Sequence, residues 1–257
     1  MHTQWVAEEL ESQHKRLMQG NMRILEELAG DKLIEVLAKD ASDSSPLWRS
    51  VAFSTLDLLV HYDVQHKWLN YLTHRGYLRQ FLDDIVRQDE ALLSLLTTSP
   101  ESLTLLYVFE SKLSLLIRIA QTARGASYLL ENGVVRVLCQ ASFIDQRPDE
   151  SMLDIHTSSW LPTVMDRYEQ LLLPVLRLFV ALLTSLPHHT DAASQVLDLI
   201  TQHSELFSAV LKDRAPVITL DSLNELALTT QLFYLLAHHD SLLYDKVSAK
   251  YSFNQSY

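Results

Sequence analysis

Histidines and carboxylates that stand close together come first, because imidazole and carboxylate in combination bind metal ions and move protons. Three groups stand out: His61-Asp63-His66, His188-His189 and His238-His239-Asp240. A helical zinc pair sets its two histidines four residues apart on one face. His61 and His66 are five apart, so their rings point to different faces. The other two groups stand where amphipathic runs end, and an imidazole there is expected to serve the negative end of a helix dipole. Asp83-Asp84 has Arg87 where a magnesium-diphosphate motif needs its third acid. Cys139, the single cysteine, lies in an apolar segment without a partner for an intrachain disulfide, which fits a reducing compartment such as cytosol or nucleus.

His239-Asp240 alone resembles the metal dyad of all-α phosphohydrolases, the remote enzymatic reading. Such a site needs further His and Asp ligands converging from other helices. No nucleophile elbow, phosphate loop or Cys-x-x-Cys occurs. The expectation is therefore a protein that is not an enzyme, with no catalytic, cofactor or metal site. Trp5, Trp48, Trp68 and Trp160 are read as core or helix-contact residues rather than a ligand cage.

The elements that would position any site are helices. The chain has 257 residues, 47% of them hydrophobic, and only five glycines, too few turn residues for a sheet protein. Gly20, Gly30, Gly76, Gly125 and Gly133 each follow an amphipathic run, which predicts a helix boundary at every one. Pro46, Pro100, Pro162 and Pro216 each precede or start a long apolar stretch and are 54, 62 and 54 residues apart. That punctuation predicts one building block stacked several times.

About twelve helices are expected. Three short ones cover residues 3–41, and Ser45-Pro46 starts a firm helix to Tyr62. Shorter pieces span 63–75 and 77–97, and Ser99-Pro100 starts a helix reaching about Ala123. In that helix Thr104, Tyr107, Ser111, Ser114, Arg118 and Thr122 form one polar stripe. Leu106, Phe109, Leu113, Leu116 and Ala120 form one buried face, and Leu105, Val108, Leu115 and Ile119 another, so neighbours are expected on both sides. The helix from Val164 to Leu186 repeats this, with Asp166, Gln170, Pro174, Arg177, Ala181 and Thr184 exposed. Its stretch Leu171 to Leu186 is shorter than the roughly 20 residues a bilayer span needs and carries Arg177 and Pro174, so a buried helix is expected. Residues 220–238 and a last helix near 241–252 close the chain. Residues 143–161 read as the longest irregular loop.

The whole of residues 1–257 thus reads as one all-α, right-handed-type α-solenoid of stacked antiparallel helices, HEAT/armadillo-like. Formal charge is −11 with scattered basic residues, which argues against nucleic-acid binding. The start lacks the regions of a signal peptide.

The stretch Phe109 to Thr122, running through Gly125 to Gly133 into Cys139-Gln140 and Asp145-Gln146-Arg147-Pro148, resembles the C-terminal part of the large inner-ring scaffold nucleoporins. Val164 to Pro174, Gln195 to Ile200 and Ser222 to Leu228 follow in that family's order. The resemblance is clearest from about Leu103 to Ala237. Members are many times longer, so it implies a fragment or short form, and residues 251–257 do not align.

The resemblance implies a structural subunit of the nuclear pore inner ring, at the nuclear envelope, whose partners are inner-ring subunits and short helical segments of linker nucleoporins. No nucleic acid and no direct membrane insertion are expected, from the scattered basic residues and the buried reading of Leu171 to Leu186. Leu232, Phe233, Leu236, Leu243 and Tyr244, near an end without an evident polar cap, are the expected partner-binding residues. A generic armadillo-like adaptor outside the pore shares every physical feature.

Overall fold

Thr163 begins a helix because its hydroxyl accepts the amide of Asp166 at 3.1 Å while the Asp166 carboxylate accepts the amide of Thr163 at 2.8 Å, a reciprocal capping box. Thr219 and Ser222 close the same box before the next long helix. The computed structural model describes residues 2–148, 162–212 and 219–238, with side chains from residue 9 onward.

Twelve α-helices lie among the described residues: α1 His2–Asp43, α2 Pro46–Tyr62, α3 Lys67–His74, α4 Tyr77–Arg87, α5 Asp89–Ser94, α6 Thr104–Ala120, α7 Ala123–Glu131, α8 Val134–Cys139, α9 Val164–Ser185, α10 Thr190–Gln202, α11 Ser204–Lys212 and α12 Leu220–Ala237. A 3-10 turn, Ser142–Asp145, follows α8, and no strand occurs among the described residues.

The long helices form a row, α1 against α2, α2 against α6, α6 against α9, α9 against α12. From α2 onward they start 58, 60 and 56 residues apart, so the building block anticipated from the prolines is present. Phe53 meets Lys112 and Asp57 meets Arg118, so α2 and α6 run in the same direction, as equivalent helices of successive repeats do. A second layer of short helices is joined in the order α3, α4, α8, α10, α11. The architecture is an α-solenoid.

α6 and α9 are inner helices with apolar faces on two sides, as expected. Leu106, Val108, Phe109, Leu113, Leu115, Leu116, Ile119 and Ala120 are all buried, while Thr104, Tyr107 and Ser114 are exposed. In α9, Asp166, Arg177 and Thr184 are exposed and Pro174 sits half-buried on the same line. At 22 residues α9 is long and apolar enough to cross a membrane, yet most of it is buried between α6 and α12.

Three boundaries differ from expectation. Residues 2–43 form two helical stretches, not three, that meet at a kink at Gly30, whose φ of 52° and ψ of −140° only glycine adopts readily, so the boundary expected at Gly30 is present. Gly20 stays inside the first stretch, because strong helix formers on both sides outweigh the cost of about 1 kcal/mol. Ser99-Pro100 does not start α6, which begins at Thr104 after a bend, and Ser45 precedes α2 without a side-chain cap, leaving Pro46 to start it. Gly125 lies within α7, where its role is close approach: a Cβ there would sit 2.1 Å from the Ile119 carbonyl oxygen.

Candidate functional site

The histidine and acid groups are dispersed by the fold into caps. Asp63 is buried, and its carboxylate accepts the amides of Lys67, Trp68 and Leu69 at 2.9, 2.8 and 3.2 Å, closing the start of α3. His61 is exposed against the Tyr62 ring. His189 corrects the dipole reading: it caps the N-terminus of α10, its Nδ1 accepting the amide of Ala192 at 3.2 Å. A neutral ring nitrogen does this as a hydroxyl would. His238 does sit at the C-terminal end of α12, where its Nδ1 donates to the Tyr234 carbonyl at 2.9 Å. His239 and Asp240 lie outside the described residues.

Asp84 is a structural hub. It pairs with Arg49 of α2 and, at 2.5 Å, with Lys112 of α6, while Arg87 approaches to 3.6 Å. Arg49 also donates to the Ala41 carbonyl at 3.0 Å, so this cluster ties α1, α2, α4 and α6 together. Burial pulls the Lys112 ammonium down to about 8, the attraction of Asp84 offsetting this only in part. Burial acts to raise the Asp84 carboxyl, but Lys112 and Arg49 hold it below the usual carboxylate range.

A second cluster looks at first like a nucleophile and its base. His203 places Nδ1 2.7 Å from Asp145 Oδ1, and Cys139 Sγ lies 3.8 Å from His203 Nε2. The nearer partner of Nε2 is the Cys139 carbonyl at 2.9 Å, and the thiol donates to Gln202 Oε1 at 3.0 Å. Burial, aided by Asp198 and Asp145, pushes the thiol above its ordinary range, opposite to what an activated cysteine requires. The cluster joins α8, the 3-10 turn and the α10–α11 corner. It borders a cleft of about 450 Å³ lined by Gly133, Arg136, Cys139, Gln195, Asp198 and Gln202 among others. Among the described residues no group of three metal-ligating side chains forms.

What the surface offers instead is apolar area. Leu232 and Leu236 are buried, on the side of α12 that also buries Glu225 and Thr229. Phe233 is 38% exposed, its ring edge-to-face with Phe207 of α11 at 6.2 Å. Leu220, Leu223, Leu226 and Tyr234 are exposed on the same helix. Leu243 and Tyr244 lie outside the described residues. Sequence reading missed a comparable stripe on α2, where Leu47, Trp48, Val51 and Leu58 are exposed, Trp48 by 63%. Their spacing was the available signal, since Leu47, Val51 and Leu58 recur on one helical face. Trp68, by contrast, is core.

A family profile described as nuclear pore complex scaffold, nucleoporins 186/192/205, matches residues 4–237, which takes in the whole row of long helices. The human nuclear pore complex protein Nup205 is 40% identical over 220 residues, covering 84% of this chain and 11% of that protein. The Drosophila melanogaster protein of the same name is 31% identical over 215 residues, covering 82% and 10%. Nucleoporin NUP192 of Chaetomium thermophilum is 28% identical over 218 residues, covering 74% and 12%. The chain thus spans about a tenth of the length of these relatives.

Proposed function

This chain belongs to the nuclear pore complex scaffold family of nucleoporins 186/192/205, and on that premise we propose that it is a structural, non-enzymatic segment of the nuclear pore inner ring that holds short helical segments of linker nucleoporins. The observation that carries the reading is that one family match covers the entire stack, so the unit related to the scaffold is the stack itself. A row of helices held by side-by-side packing presents long faces to other proteins, and amphipathic helices bind such faces through a few apolar anchors.

The anchor face is on α12. Phe233 offers its ring directly, while Leu232 and Leu236 hold the helix in place from beneath. Leu243 and Tyr244, outside the described residues, belong to the proposed anchor set on their sequence alone. A tagged chain expressed in cells is expected at the nuclear rim, and folded Phe233→Glu and Tyr244→Glu variants are expected to lose capture of a linker-nucleoporin helix. Diffuse staining would overturn the placement in the pore. Undiminished capture by both variants would remove the contact from this end of the stack.

A further inference from the structure

Arg167 stands in the first turn of α9 with 2% of its surface exposed. Its Nη2 donates to the Thr97 carbonyl at 2.8 Å, but its buried Nε has no hydrogen-bond partner, and no carboxylate pairs with the guanidinium among the described residues. Asp166, the adjacent acid, commits its carboxylate to the Thr163 amide and reaches the guanidinium only through its charge, which offsets the effect of burial in part. Burying a cation without a counter-anion is unfavourable, so what this position lacks is an anion.

The carbonyl that Arg167 holds belongs to a bend, Thr97-Thr98-Ser99-Pro100-Glu101-Ser102, that leads into α6. Thr97, Thr98 and Ser99 are exposed. Ser99 is followed directly by proline, the arrangement that proline-directed protein kinases accept. It stands two positions after Thr97, a reach of at most about 7 Å along the chain. A phosphoserine presents several strong acceptor oxygens, and the planar guanidinium fork matches them better than it matches one carbonyl.

We propose that Ser99 is a phosphorylation site whose phosphate docks on Arg167 in place of the Thr97 carbonyl. In the modification, Ser99 Oγ attacks the γ-phosphorus of ATP. The new Oγ–P bond forms as the bond to ADP breaks, and the hydroxyl proton passes to the kinase. Because the bend precedes α6 and Arg167 lies on α9, the docked phosphate bridges two neighbouring repeats. Phosphorylation at Ser99 therefore stiffens the α6–α9 joint of the stack.

The test treats the folded full chain with a proline-directed kinase and ATP. Intact mass, amide hydrogen exchange and thermal unfolding are then compared for wild type, Ser99→Ala and Arg167→Lys. The expected results are one phosphate more on wild type and Arg167→Lys than on Ser99→Ala, which keeps the exposed Ser45-Pro46 as a second acceptor for the kinase, with slower exchange in residues 97–103 of wild type and a Tm raised by about 4 °C over phosphorylated Ser99→Ala. Arg167→Lys, which keeps the charge but loses the fork, is expected to lose most of both effects. Failure of the kinase to modify Ser99 in the folded chain overturns the proposal. So does modification that leaves exchange at 97–103 unchanged in wild type, a reading that needs no variant to fold, or identical responses in wild type and Arg167→Lys.

Discussion

Glu169 allows the electrostatics of the α9–α12 joint to be measured directly. It is 4% exposed, and burial first, then the carboxylates of Glu225, Asp221 and Asp166, push its carboxyl up to about 7, against the opposing pull of Arg147. The folded chain therefore keeps a proton that the unfolded chain releases from an ordinary value of 4.5. Between those two values the folded state binds more protons than the unfolded state, so this group's contribution to stability falls as pH rises. The separation is about 2.5 units at about 1.4 kcal/mol each, a ceiling of about 3.5 kcal/mol, and the effective dielectric around even a buried site lowers the expected effect to roughly 1.5 kcal/mol. Glu169→Gln has the shape of the neutral acid and cannot ionise. Urea unfolding of both proteins, followed by circular dichroism from pH 4.5 to 8.5, is to be plotted as the difference between them, which cancels every other titrating group. The variant is expected to match wild type within about 0.5 kcal/mol at the acid end and to exceed it by roughly 1.5 kcal/mol at pH 8. A difference that stays flat across pH, or a variant less stable than wild type at pH 8, would refute the reasoning.

Three further perturbations follow from the packing. Gly125→Ala forces a Cβ to 2.1 Å from the Ile119 carbonyl oxygen and is expected to cost about 2–3 kcal/mol in the urea midpoint, whereas Gly20→Ala, with open space around it, stabilises by a few tenths. Asp84→Asn leaves Lys112 and Arg49 buried without their anion and should lower stability by about 3–5 kcal/mol. Lys112→Met leaves Asp84 paired with Arg49 and should cost much less, so equal losses in guanidinium unfolding would contradict the hub. Asp63→Ala removes the acceptor for three amides of α3, with an expected loss of about 2 kcal/mol and faster amide exchange at Lys67, Trp68 and Leu69.

Much of the stack was legible because helical periodicity records burial directly. The two apolar faces of α6 and the exposed line along α9 follow from residue spacing alone, since an inner helix must be apolar wherever a neighbour covers it. Boundaries were less legible. Proline suggested a start at Ser99, but Leu103 precedes the first helical residue, and a run of helix formers carried α1 across Gly20. Lys112 shows what a pattern leaves out. It fills the one vacant position in the stripe of Leu105, Val108, Leu115 and Ile119, a sign that it is buried, yet its partner Asp84 comes from another repeat.

The family relation extends the resemblance read from Leu103 onward back to residue 4, across helices where the likeness is faint in the residues themselves. The anchor residues divide in the same way. Leu232, Phe233 and Leu236 are equally apolar on paper, and only the arrival of α9 on one side of α12 buries two of them and leaves Phe233 open.

The order of side chains along the chain determined that this protein is all helix, that its long helices recur at near-constant intervals, and which faces of α6 and α9 must be covered, because each of these depends on neighbours within a turn or two. Tertiary structure alone decided which charges pair across repeats and that Arg167 is buried beneath a serine-bearing bend. Those outcomes depend on residues about 30 to 70 positions apart meeting at one point, and local spacing carries no record of where distant segments dock.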